Sequence, residues 1–168
     1  LLKLGGTSFP GKVAQHLYPG ILRKLSSGLR IIMVTGTNGK TTTSRIIEKI
    51  LQENKVQYIA NKSGANLVNG VITAFIDAVD LSGKTDASTA LIEIDEAAFS
   101  KICNFIVPHV LVVTNFFRDQ LDRYGELYGT LNLVKKTATS FNNIKLVLNA
   151  DDSLCASIGK DTENEVIY

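Results

Sequence analysis

Thr35 to Thr43 reads T-G-T-N-G-K-T-T-T and follows the apolar run Ile31-Ile32-Met33-Val34 directly. Glycines let a backbone approach an anion with no Cβ in the way, and a helix N-terminus aims successive N–H groups at it. A lysine and a hydroxyl at that helix start complete a nucleoside triphosphate cradle, with Lys40 for the β- and γ-phosphates and Thr41 for Mg²⁺. Contacts to the nucleotide are therefore expected from Gly36, Thr37, Asn38, Gly39, Lys40, Thr41 and Thr42. The first glycine of the common G-x-x-x-x-G-K-[ST] loop falls on Val34, which leaves the tighter form G-T-x-G-K-T. The competing reading is a β-to-α turn with no ligand, for which a lysine and three threonines at a helix start are poor choices.

Other apolar runs also end in groups that could do chemistry. Ala90-Leu91-Ile92-Glu93-Ile94-Asp95-Glu96 places Glu93 and Asp95 on one face by the period-2 rule, while Glu96 leaves the strand. A carboxylate beside a triphosphate is a natural Mg²⁺ ligand, directly or through water, so Glu93 is the expected acidic partner of Lys40 in catalysis. The other reading of these acids is structural, paired with lysine or capping the next helix, and for Asp95 and Glu96 the choice stays open. Val110-Leu111-Val112-Val113 runs into T-N-F-F-R-D-Q-L-D-R-Y-G at 114–125, a polar turn whose Asn115 is a candidate nucleotide contact. Charges such as Arg118, Asp119, Asp122 and Arg123 are costly near a buried strand end unless they meet each other, a metal or an anion. Leu146-Val147-Leu148 ends in Asn149-Ala150-Asp151-Asp152, where Asn149 either orients the nucleotide or serves the turn.

What must hold these groups together is a parallel sheet. Aliphatic and β-branched runs near 31–35, 56–60, 89–94, 110–115 and 145–149 alternate with helical spacing near 40–53, 66–79, 97–106 and 126–141. This predicts an α/β fold, mostly parallel, with helices on both faces and ligands at the carboxyl ends of the strands. The helix after the phosphate loop carries Ile46, Ile47, Ile50 and Leu51 on one face. Residues 12–26 read as one or two helices broken at Pro19-Gly20. A second G-K-T, Gly83-Lys84-Thr85, lies in a small polar loop with no helical pattern after it and is not expected to touch phosphate.

With 168 residues and 45% hydrophobic content, one compact core is the default. Lys+Arg of 18 against Asp+Glu of 16 leaves a net charge of +2, without the basic footprint of a nucleic-acid binder. Cys103 and Cys155 lie far apart with no C-x-x-C spacing, which argues for reduced thiols in a cytoplasmic protein rather than zinc or a disulfide framework. No apolar run reaches the roughly 18 residues of a transmembrane helix. His16 and His109 read as ordinary surface or packing residues, His109 at the wrong end of the sheet for catalysis.

G-T-N-G-K-T-T at 36–42, I-E-I-D-E at 92–96, T-N-x-x-x-D-Q-L-D-R-Y-G at 114–125 and L-N-A-D-D at 148–152 together resemble the central ATPase domain of the Mur ligase superfamily. F-P-G-K-V-A at 9–14, N-K-S-G-A-N at 61–66 and F-F-R-D-Q-L-D-R-Y-G-E at 116–126 resemble its lipid II-amidating branch more narrowly. The resemblance implies a P-loop-containing fold and an ATP-dependent carbon–nitrogen ligase. Such an enzyme turns the D-glutamate α-carboxylate of the lipid II stem peptide into an acyl phosphate, which ammonia from a glutaminase of the GatD type then attacks. It implies a bacterial cytoplasmic protein whose substrate lies at the inner face of the membrane. Phosphates would sit on Lys40 and the 36–42 backbone, with Mg²⁺ on Thr41 and Glu93. The amino-acid-adding ligases carry D-H-[LM]-D where this chain has Asp119-Gln120-Leu121-Asp122, which makes Gln120 a candidate metal ligand, weaker than a charged group. Their carbamylated lysine falls at Val134 or Lys135, depending on register, and is not assigned.

The expected organisation is a helical lead-in over 1–30 and a central ATP-binding domain over 31–168, ending before a zinc-ribbon insertion and a C-terminal domain. Zinc is expected only in that missing part. The start Leu1-Leu2-Lys3-Leu4-Gly5-Gly6 reads as a chain cut from something longer, expected to bind ATP weakly and turn over nothing alone. Alternatives are another Mur-type ligase such as folylpolyglutamate synthase, which would need pteridine-binding residues not seen here, or a different P-loop NTPase, which would show a D-x-x-G run end.

Overall fold

The computed structural model of the protein describes residues 8–61, 64–117 and 124–168. In chain order the elements are α1 (Phe9–Leu17), α2 (Ile21–Leu25), β1 (Arg30–Thr35), α3 (Lys40–Glu53), β2 (Tyr58–Ala60), α4 (Val68–Asp77), β3 (Thr89–Glu93), α5 (Glu96–Ile102), β4 (Val110–Val113), α6 (Tyr124–Thr139), β5 (Lys145–Leu148), α7 (Ser153–Ile158) and β6 (Glu165–Ile167). The strands form one sheet in the order β2-β3-β1-β4-β5-β6, and every pairing among them is parallel. The chain winds outward from β1 to β2 on one side and from β4 to β6 on the other, so the crevice between β1 and β3 is the topological switch point.

Alternation along the strands divides the molecule. Ile31 and Met33 of β1, Ala90 and Ile92 of β3, Leu111 and Val113 of β4, and Leu146 and Leu148 of β5 enter a core closed by Phe75 of α4, Phe99 of α5, Val134 of α6 and Ile158 of α7. Each large side chain so buried contributes roughly 1.5–3 kcal/mol relative to exposure. Leu91 and Glu93 of β3 point to the opposite face, where Glu93 meets Thr41 of α3. Helices therefore lie on both faces, as the alternating pattern predicts.

Three features depart from the sequence reading. Of the four apolar residues on α3, Ile47 and Leu51 are half-buried, but Ile46 and Ile50 are 57% and 56% exposed. The inward side runs through Lys40, Ser44, Ile47, Glu48 and Leu51, where α3 packs on β1 and β3. The strand β6 and helix α7 are additions: three and six residues are too short to carry a period. Asp152, to which the sequence reading assigns no role, caps α7 by accepting from Leu154 N at 2.8 Å and Cys155 N at 3.2 Å, and its other oxygen accepts from Phe116 N at 2.7 Å.

The lead-in helices pack on α4. Gly11 is required there, because a Cβ at that position would lie 2.0 Å from Asn69 O, and its N–H donates to Thr73 Oγ1 at 2.9 Å. Both cysteines are buried and free. Burial pushes the Cys103 thiol up to about 12, and burial together with the Asp152 charge does the same to Cys155, so neither is a nucleophile at neutral pH. His109 sits at the amino end of β4, where its Nδ1 accepts from Ile31 N at 3.0 Å, a packing role far from the carboxyl ends.

Candidate active site

The phosphate loop leaves β1 at Thr35 and enters α3 at Lys40 with two glycines in different roles. Gly36, at φ +124, supplies space: a Cβ would lie 2.3 Å from Thr114 Oγ1 and 2.9 Å from Asn115 O. Gly39, at φ +83, supplies conformation, since open space surrounds it but the left-handed region disfavours a side chain. The β4 end clamps the loop from outside. Thr37 N donates to Asn115 O and Asn38 N to Asn115 Oδ1, both at 2.9 Å, while Thr114 Oγ1 donates to Asn38 O at 2.7 Å. The Thr37 hydroxyl accepts from Phe117 N at 3.1 Å.

Thr37, Asn38 and Asn115 thus hold one another, with the N–H groups of Thr37 and Asn38 already donated. The first bond within α3 is Thr43 N to Gly39 O at 2.9 Å, and no side chain caps its first turn. The N–H groups of Gly39, Lys40, Thr41 and Thr42 are those a helix start leaves without intrahelical acceptors, and they carry its positive end.

Two acids face this turn, Glu93 at the end of β3 and Glu96 at the start of α5. Thr41 Oγ1 donates to Glu93 Oε1 at 3.0 Å, and Glu93 is only 6% exposed. Lys40 Nζ donates to Gly36 O and, at 3.1 Å, to Thr37 O, and it pairs with Glu96 at 3.5 Å. Here the period-2 expectation is corrected: β3 ends at Glu93, and Asp95 leaves the site to cap α5, accepting from Ala97 N at 3.0 Å. Glu96, 8% exposed in the first turn of α5, is the acid that pairs with Lys40, while Glu93 meets Thr41. A cleft of about 370 Å³ opens over these groups, with Gly64 and Asn66 on its far wall.

A triphosphate with Mg²⁺ fits this donor set: free N–H groups and an ammonium for the phosphates, a hydroxyl and a buried carboxylate for the cation. Among the described residues no three His, Cys, Asp or Glu side chains gather as a metal cage. Asn149 lies outside the cleft lining. Its Nδ2 donates to Thr114 O at 2.9 Å and its Oδ1 accepts from Asp151 N at 3.0 Å, so it braces the β4 end that in turn clamps the loop. Gln120, with Arg118, Asp119, Asp122 and Arg123, lies outside the described residues. Thr114 and Asn66 were not singled out as site residues from sequence: Thr114 falls near the end of the predicted strand 110–115 and Asn66 at the start of the predicted helix 66–79.

Residues 34–168 match the Mur ligase middle domain. The chain belongs to the Mur ligase family. It is 43% identical over 155 residues to the MurT subunit of the glutamine-hydrolysing lipid II isoglutaminyl synthase of Streptococcus pneumoniae, covering 92% of this chain and 34% of that protein. The corresponding subunit of Staphylococcus aureus strain COL is 39% identical over 164 residues, covering 97% and 36%. The chain thus spans about a third of the length of these curated relatives. In fold it is similar to the MurF ligase of Thermotoga maritima solved with ADP, at a TM-score of 0.67 and 19% identity over 94% of this chain and 36% of that one. No helix among the described residues of this Mur ligase domain is long and apolar enough to cross a membrane.

Proposed function

We propose that this chain is the ATP-binding core of a Mur-type ligase that amidates the D-glutamate α-carboxylate of the lipid II stem peptide at the cytoplasmic face of the membrane. The observation that carries the proposal is the pairing of Thr41 with Glu93 and of Lys40 with Glu96 across the β1–β3 crevice, in a chain 43% identical to a MurT subunit. ATP would lie with its phosphates on the first turn of α3, and Mg²⁺ on Thr41 and Glu93 would neutralise charge on the transferring phosphoryl group. Lys40, released from the loop carbonyls, supplies the second positive charge. A substrate carboxylate oxygen attacks the γ-phosphorus and ADP leaves. Ammonia, delivered by a glutaminase subunit of the GatD type, then attacks the acyl carbon, inorganic phosphate leaves, and an amide remains.

The test uses the full-length protein that carries this chain. Incubated with lipid II, Mg·ATP and hydroxylamine in place of ammonia, it yields a hydroxamate on the D-glutamate α-carboxyl with one ADP released per hydroxamate formed. ADP release without hydroxamate, or hydroxamate without ATP, overturns the proposal.

A further inference from the structure

Asn61 stands where β2 stops pairing with β3. The ladder ends with Ala60 opposite Leu91, and beyond that point the Asn61 side chain takes over the work of a strand. Its Oδ1 accepts from Glu93 N at 2.9 Å and its Nδ2 donates to Glu93 O at 2.8 Å. The same amide nitrogen donates to Ala65 O at 2.9 Å. Asn61 is 8% exposed, so these bonds are made away from water, where a lost partner is costly. On the other edge of β3, Ile94 N donates to Val34 O at 3.0 Å, so the backbone bearing Glu93 is held from both sides. Beyond Ala65 the loop is tied again, Asp95 N donating to Asn66 O at 3.0 Å.

We infer that Asn61 is a positioning residue for the Glu93 carboxylate. It fixes the Glu93 backbone, and so the oxygen that meets Thr41, and it ties the loop carrying Gly64 and Asn66 to the cation end of the cleft. An amide is the side chain this place requires. It offers one acceptor and two donors to one N–H and two carbonyls, whereas aspartate would set a carboxylate oxygen against both carbonyls. The inference rests on the proposed role of Glu93 as cation ligand.

The test measures Mn²⁺ binding to the chain saturated with a non-hydrolysable ATP analogue, and analogue binding without cation. In Asn61→Asp and the milder Asn61→Ser, Mn²⁺ affinity falls about ten-fold, as for loss of a group that orients a metal ligand, while cation-free analogue affinity moves less than about two-fold. In a Glu93→Gln background the Asn61 substitutions have no further effect on Mn²⁺. Equal losses in both measurements, an additive effect in the Glu93→Gln background, or failure of both variants to fold makes Asn61 a structural residue and overturns the inference. If Glu93→Gln alone leaves Mn²⁺ binding intact, the cation role of Glu93 is what fails.

Discussion

The chain carries G-K-T twice, and the two copies differ in what their donors meet. Gly39 and Gly83 share nearly the same left-handed backbone, φ +83 and φ +79, and neither would clash with a Cβ. What differs is the anion. At the second copy the turn has its own: Asp80 Oδ1 accepts from Ser82 N at 2.8 Å, Ser82 Oγ at 2.7 Å and Lys84 N at 2.9 Å. These bonds, Lys84 N–H foremost, hold the Asp80 carboxyl below its ordinary value of 3.8. At the first copy the glycine opens a helix of 14 residues, and the acids that gather come from β3 and α5 and hold the threonine and lysine side chains rather than the backbone N–H groups. At the second copy an internal carboxylate takes the backbone donors, whereas at the first the carboxylates take only side chains.

The sharpest break of this comparison is to remove each lysine. Lys40→Ala lowers ATP-analogue affinity about 10- to 100-fold, the worth of one strong charge-assisted contact, and abolishes amidation by the full-length protein. Lys84→Ala, on an exposed turn, leaves both within about two-fold; calorimetric titration of the two variants side by side checks this. Next come the glycines. Gly36→Ala drives a Cβ into Thr114 and Asn115 and costs about 3 kcal/mol or more in denaturant unfolding, whereas Gly83→Ala, with open space and only its φ to oppose it, costs about 1 kcal/mol.

Glu96→Gln sharpens the comparison on the acidic side. The nucleotide must draw Lys40 away from Glu96, so neutralising that carboxylate tightens analogue binding about three-fold, and weaker binding would show instead that Glu96 helps the ligand. The smallest effect is acid titration of the second turn. A carboxylate held below 3.8 stabilises the fold above that pH, and the contribution is lost as pH falls through its lower folded value. Amide resonances of Ser82 and Lys84 followed by NMR should therefore shift only below pH 3.8.

Much of the scaffold was legible because its signals are local. Helix α3 starts at the residue after Gly39 and ends at Glu53, as its spacing predicts, and the five longer-range apolar runs all became strands. The rotation of α3 was not legible. Ile46 and Ile50 form an apolar pair by spacing, yet the loop that fixes Lys40 turns them outward. In the candidate site, Lys40, Thr41 and Glu93 stood out by residue type and position after a strand, and the structure brings Thr41 to Glu93 and Lys40 to Glu96. Asp95 and Glu96 were not separable, because one residue of strand length decides which caps a helix and which faces a lysine.

By itself the sequence determined the chemistry on offer: a glycine-bearing turn at a strand end, a lysine and a threonine on the first turn of a helix, and a glutamate closing another apolar run. Backbone preference and periodicity act over a few residues, so a string of letters suffices for them. Only the tertiary structure decided who partners whom. Glu93 answers Thr41 from 52 residues away, Asn61 holds Glu93 from 32, and Asn115 clamps Asn38 from 77. Such pairings follow from strand order and register, which are properties of the whole packed sheet.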